Sequence, residues 1–180
     1  MKTISKFIAL AAFAVSATAV QAQLYGEVGY TALKIKQTSG ANTLQASPGV
    51  LGATIGYDVH KNVAVEAMGV FGINEDTVKS NGTSVAAKAK MDSSYGVFLK
   101  PKTMLGESFE VFGRLGYMSS KVSVTGAGYA GSTSDSSFAY GLGANYYFTK
   151  TTYLTANYMN LYNKNNTKVD GLTFGLGMKF

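Results

Sequence analysis

Seven charged side chains interrupt stretches that are otherwise small, neutral and alternating: Glu27, Glu66, Lys90, Asp92, Lys100, Glu110 and Arg114. Each falls on the less apolar of two faces in a period-two pattern, so a strand would carry it on the side away from Val, Leu, Tyr and Phe. Charges gathered on one side of a strand wall that encloses little water must be paired, because an uncompensated buried charge is expensive. The spacing therefore predicts an ion-pair network centred on Arg114, the only arginine, with Glu66 and Glu27 as its partners and Glu110, Asp92, Lys90 and Lys100 completing it. Such a network either plugs an interior or gates a narrow ion path through it.

Other chemistries fare worse. A hydrolase of the serine type needs a serine, a histidine and an acid within hydrogen-bond reach. His60 is the sole histidine, it lies beside Asp58 and Lys61 in a tight turn, and no serine sits at an obvious pairing position. One histidine and no cysteine also make a poor transition-metal site, and rule out a disulfide framework. Gly141-x-Gly143 and Gly175-x-Gly177 sit inside strand patterns with no helix behind them, so they fail the context test for a phosphate cradle. No catalytic, cofactor-binding or metal-ligating residue is expected.

The elements that carry these residues are strands. Alternation marks eight of them, at 24–32, 51–59, 63–73, 91–99, 109–120, 138–148, 154–159 and 172–180. Each is near the roughly 9–11 residues that a tilted membrane strand requires. Long polar connections at 36–48, 74–89, 121–137 and 160–170 alternate with shorter turns at 58–62, at a stretch that Lys100-Pro101-Lys102 opens, and at 149–152. Strand seven is the weakest pattern, with Leu154, Ala156 and Tyr158 placed on the apolar face although the opposite parity is nearly as apolar.

Alternation alone leaves open which face is outside. The apolar face carries aromatics towards both strand ends, Tyr30, Phe71, Tyr117 and Phe138 at one and Tyr57, Phe109, Phe148 and Phe180 at the other, as two interfacial girdles would. The other face is built of Gly, Ser, Thr and isolated charges, sized for a narrow lumen. The chain ends on Phe174, Leu176, Met178 and Phe180, an apolar strand that only a closing partner would tie down. At the other terminus Lys2 and Lys6, an apolar run over 7–20 and small residues at 20–22 have the form of a signal peptide. Cleavage after Ala22 would leave one domain over 23–180, 158 residues with 14 basic and 10 acidic side chains, a charge of +4. Export makes nucleic acid an implausible partner for that charge.

The stretches Phe112-Gly113-Arg114-Leu115-Gly116-Tyr117, Phe138-Ala139-Tyr140-Gly141-Leu142-Gly143-Ala144-Asn145-Tyr146-Tyr147 and Gly175-Leu176-Gly177-Met178-Lys179-Phe180 resemble strands of the small eight-stranded outer-membrane barrels, the family of the OmpA transmembrane domain and the opacity-type surface proteins. The resemblance covers nearly all of the chain after residue 22. It implies an all-β, eight-stranded, antiparallel, up-and-down transmembrane β-barrel, monomeric and integral to the bacterial outer membrane, with Phe174, Leu176, Met178 and Phe180 as the signal read by the barrel-assembly machinery. It departs from the family in lacking tryptophan in the girdles and in ending at strand eight, which puts a cell-wall anchoring role in doubt. In that setting Lys34, Lys36, Lys79, Lys121, Lys164 and Lys168 would face lipopolysaccharide phosphates, or simply be solvated loop charge. The expected function is structural: envelope integrity, with four extracellular loops offered to an external ligand or host protein. A narrow pore gated around Arg114 is the alternative, and a lipid-A-modifying enzyme a distant third.

Overall fold

The computed structural model describes residues 24–126 and 129–180; the predicted signal segment at 1–22 lies outside them. Ten strands form one antiparallel sheet: β1 (Leu24–Ser39), β2 (Asn42–Ala46), β3 (Gly49–His60), β4 (Val63–Gly72), β5 (Asp76–Ser80), β6 (Thr83–Met104), β7 (Phe109–Gly126), β8 (Tyr129–Tyr147), β9 (Thr152–Lys164) and β10 (Thr167–Lys179). Eight of them, in the order β1-β3-β4-β6-β7-β8-β9-β10, pair successively, and β10 returns to pair with β1 from Tyr25↔Lys179 to Gln37↔Thr167. The wall is therefore closed, and the last backbone amide, that of Phe180, donates to the Leu24 carbonyl at 2.9 Å. Closure removes the sheet edge that an isolated terminal strand would leave open.

The four predicted long loops are mostly strand. β1 runs on to Ser39 and folds back as β2; β5 and the first part of β6 form a second hairpin; β7 and β8 stay paired up to Gly126↔Tyr129, and β9 and β10 extend to a tight turn. β2 and β5 pair with each other through Leu44↔Ser80 and Gln45↔Lys79, so a collar of sheet stands on one end of the barrel. These stretches read as loops because Ser, Thr, Gly, Asn and Lys dominate them. Their turn chemistry was nonetheless legible. Asn81 and Gly82 (φ 49° and 87°) and Asn165 and Asn166 (φ 52° and 57°) take the paired left-handed conformations of two-residue hairpin turns, which Asn and Gly tolerate best. At the opposite end, β6 passes straight through Lys100-Pro101-Lys102, where a turn was expected, and continues to Met104.

Below the collar the side chains divide as the alternation predicts. Val28, Leu51, Val97, Leu142 and Phe174 are exposed on the exterior, Leu142 at 74%, while Glu27, Thr54, Glu66, Phe98, Arg114, Ala139 and Asn157 are buried within. Strand seven of the sequence pattern, now β9, keeps the predicted parity: Leu154 and Tyr158 exposed, Thr155, Asn157 and Met159 buried. Bulges break the pattern locally: in β9, where Leu161 is skipped in the pairing with β10, Met159, Asn160 and Leu161 are buried in succession. A bulge in β6 between Met91 and Ser93 shifts the register against β7, so Met91 turns inward and is fully buried.

The interior is layered. Near the short turns sit charged and aromatic side chains. Above them lies an apolar layer of Leu33, Val50, Val70, Met91, Met118, Met159, Leu161 and Val169, and above that a second, smaller cluster of Ala46, Val78 and Ala89 inside the collar.

Candidate functional site: the charged interior and the collar

Arg114 on β7 is 1% exposed, and it is bonded to two carboxylates from other strands. Its Nε donates to Glu66 Oε2 on β4 at 2.5 Å and its Nη2 to Glu66 Oε1 at 2.9 Å, a two-point contact that only the planar guanidinium fork makes. Nη2 also donates to Glu27 Oε2 on β1 at 2.5 Å. Lys100 Nζ on β6 donates to Glu27 Oε1 at 3.1 Å and lies 3.3 Å from Glu66 Oε1. Two acids thus face two cations. The remaining oxygen valences are taken by phenols: Tyr25 donates to Glu66 Oε1 at 2.7 Å and Tyr153 to Glu27 Oε1 at 3.0 Å. Phe112 closes one side, its ring centroid 4.3 Å from Lys100 Nζ and 4.8 Å from Arg114 Cζ.

Glu110 sits apart from this group, nearer the short turns. Its Oε1 accepts from Asn145 Nδ2 at 2.8 Å and its Oε2 lies 3.7 Å from Lys102 Nζ, which itself donates to both Asp58 oxygens at 2.6 and 2.8 Å. The interior charges therefore form two neighbouring clusters. Lys90 and Asp92 belong to neither. The bulge at Met91 reverses the parity above it: Lys90 is half-buried and Asp92 accepts from the Ser123 hydroxyl at 2.5 Å, outside the network expected for them. Tyr25, Tyr153, Phe112, Asp58 and Lys102 were not singled out from sequence as members. Parity could have found them, since Tyr25 lies two residues before Glu27 and Lys102 two after Lys100.

Two glycines make room for the phenols. A Cβ on Gly56 would lie 2.1 Å from Tyr25 Cζ, and one on Gly177 would lie 2.2 Å from Tyr153 Cζ. The rings lie flat over those backbone positions, which is why no side chain is tolerated there. Between the charged group and the apolar layer remains a cavity of about 40 Å³ lined by Arg114, Thr31, Thr54, Thr155 and Asn157, large enough for ordered water. The Thr155 hydroxyl in its wall is buried without a hydrogen-bond partner.

His60 lies in the exposed β3–β4 turn, where its Nδ1 accepts from the Asn62 amide at 3.2 Å. The eight girdle aromatics, Tyr30, Tyr57, Phe71, Phe109, Tyr117, Phe138, Phe148 and Phe180, are all exposed on the exterior, as are Phe174, Leu176 and Met178 of the last strand.

In the collar the parity carries charge outward. Ile35, Val78, Ala87, Ala89, Val122 and Val169 turn inward, which leaves Lys34, Lys36, Lys79, Lys88, Lys121 and Lys168 on the outer face, all exposed. Lys36 and Lys168 are register partners on β1 and β10. Lys168 lies 3.4 Å from Asp170, whose charge raises the lysine pKa. Lys164 instead reaches Asp135 across the β8–β9 seam, 3.3 Å away, and the Tyr162 hydroxyl donates to the same carboxylate at 2.8 Å. The Tyr162 bond, with the Ser136 amide and Lys164, holds Asp135 below the usual carboxylate range.

A family model described as an outer membrane protein β-barrel domain matches residues 6–180. Among solved structures the chain is similar to Ail, the attachment invasion locus protein of Yersinia pestis (19% identity over 89% of this chain and 100% of that one, TM-score 0.63). It is also similar to the Neisserial surface protein A (15%, 87% and 97%, TM-score 0.66). A second Ail structure, in complex with the heparin analogue sucrose octasulfate, aligns at TM-score 0.60 over the same shares and identity. At these identities the likeness bears on the fold alone. No curated protein sequence matches the chain.

Proposed function

We propose, for a chain that belongs to the outer-membrane protein β-barrel domain family and is integral to the bacterial outer membrane, a structural and surface-interaction role in which the collar is extracellular and grips the polyanionic outer leaflet. The observation that carries this reading is the outward row Lys34, Lys36, Lys79, Lys88, Lys121 and Lys168, standing just above Tyr30, Phe71, Tyr117 and Phe138. Aromatic side chains of that kind mark a membrane interface, and lysines immediately beyond it meet lipid phosphates. A polysulfated ligand bound to Ail is in keeping with anionic glycans as partners for such a surface.

The lumen supports the same reading by what fills it. An ion crossing the barrel would have to displace the Arg114–Glu27–Glu66–Lys100 group and then the apolar layer around Met91, Met118 and Met159. Both fillings act as a structural plug, and the gated-pore reading needs both to open. Assembly through the last strand as a monomer, and the absence of an enzymatic role, complete the proposal. The test is the thermal midpoint of the SDS gel-mobility shift, with and without lipopolysaccharide, for the wild type and for a Lys34→Gln/Lys36→Gln/Lys168→Gln variant. Lipopolysaccharide should stabilise the first and much less the second. Equal stabilisation of both would defeat the lysine contact.

A further inference from the structure

Inside the collar, above the apolar layer, the inward positions change character. The lower lumen is filled by large side chains, but here Ile35, Ala46, Val78, Ala89, Val124 and Val169 line a vestibule and leave about 420 Å³ of it empty. Protein interiors are normally packed to near-crystalline density, and a water-facing mouth is normally polar. Small aliphatic side chains that neither fill the space nor solvate it have the composition of a ligand site, and the volume lies in the range of roughly 300–1,000 Å³ found for small-molecule pockets.

We infer that this vestibule binds an uncharged, mainly hydrocarbon molecule carrying a single alkyl chain. Charge is excluded by the walls. The one carboxylate there, Asp135, is already engaged by Tyr162 and Lys164, and the other polar lining groups, Gln37, Gln45 and Thr133 among them, are neutral. An ionised headgroup would enter without an unpaired counter-charge. One wall hydroxyl, that of Ser120, is buried and has no hydrogen-bond partner, so a neutral hydroxyl or carbonyl has a polar group within the wall to turn towards. The floor is the layer containing Leu161, Met118 and Val169, which makes the vestibule a blind pocket.

The wall also has a seam. β8 pairs with β9 only from Tyr140↔Asn160 down to Tyr147↔Tyr153. Above that, among the described residues, the two strands are bridged by side chains: Tyr162 and Lys164 to Asp135, and the Asn163 amide donating to the Ser137 hydroxyl at 3.4 Å. A stretch of wall held without backbone ladder bonds is the part that yields most readily to an entering chain. Asp135 and Tyr162 line the vestibule directly behind it.

The experiment uses the mature protein in phospholipid nanodiscs with labelled alanine methyls, titrated with 1-dodecanol. Saturable shifts are expected at Ala46, Ala87 and Ala89, with the exterior Ala32 and Ala67 unmoved. Ala87→Phe, or Val124→Phe should the first fail the gel-shift test of folding, is expected to abolish them by filling the space. Dodecanoate at pH 8 should bind at least about tenfold more weakly, from the uncompensated charge. Vestibule methyls that shift no more than Ala32 and Ala67, filled variants that bind as well as wild type, or dodecanoate equal to dodecanol would each overturn the inference.

Discussion

Arg114 and Glu66 meet side on, guanidinium to carboxylate through two hydrogen bonds, although 48 residues separate them and β6 lies between their strands. Removing the cation leaves Glu66 and Glu27 buried with only Lys100 to balance them. Arg114→Ala should therefore destabilise the barrel by about 3–5 kcal/mol, the cost of breaking one side of a buried pair. Urea unfolding in detergent micelles, followed by circular dichroism, measures this, and a variant within 1 kcal/mol of wild type on the order of experimental error would contradict it.

Conductance separates the plug from the gate. Because the apolar layer is independent of the charged group, planar-bilayer recordings of Arg114→Ala should stay as silent as those of wild type. Openings should require the layer to be breached as well, in Arg114→Ala/Met118→Ser/Met159→Ser. Channel activity in the single variant would favour the gated pore.

Gly177 lies against the Tyr153 ring, with the position of an added Cβ only 2.2 Å from it. Gly177→Ala should push the phenol off Glu27 and cost about 1–3 kcal/mol, as overpacking does. Tyr153→Phe, which removes only the hydroxyl, should cost less, about 0.5–1.5 kcal/mol. The reverse order in thermal midpoints would mean that the hydrogen bond, not the ring's seat, is the stronger constraint.

The Asp135 latch should be sensitive to acid. Its folded pKa lies below the ordinary value, so its stabilisation is complete above the usual aspartate range and is lost as pH falls through the depressed folded value. Amide hydrogen exchange of the upper β8 and β9 segments should accelerate on acidification relative to the intrinsic rates, and Asp135→Asn should show the fast behaviour at neutral pH. Exchange that is indifferent to Asp135 would remove the latch.

The lysines of the collar make a graded prediction. Each one neutralised among Lys34, Lys36 and Lys168 should weaken binding to lipopolysaccharide-containing bilayers at low salt, and the loss should shrink as salt rises. A salt-independent loss would point to packing instead of charge.

The eight strands of the closed wall, the face they expose with its aromatic residues, and the pairing of the last strand with the first were all readable from the chain. The side-chain period of a strand is a local property and survives wherever the backbone is extended. Even the weak pattern around Leu154 and Tyr158 kept its parity, because one face had to meet an apolar surround. The Arg114 partners Glu66 and Glu27 were reachable by the same rule, since few inward charges had to balance. The collar was hidden, because Ser-, Thr- and Lys-rich strands carry the composition of loops and little beyond Gly40, Asn81-Gly82 and Asn165-Asn166 marked their turns.

What the sequence determined by itself was which side of the wall each residue takes in regular strand. Tertiary structure decided which inward residues touch, where the bulge at Met91 expels Lys90 and Asp92 from the interior, and that the collar encloses an unfilled apolar space. The reason is that parity repeats every two residues along one strand, whereas contact across a lumen depends on the stagger accumulated over eight pairings, which no single segment encodes.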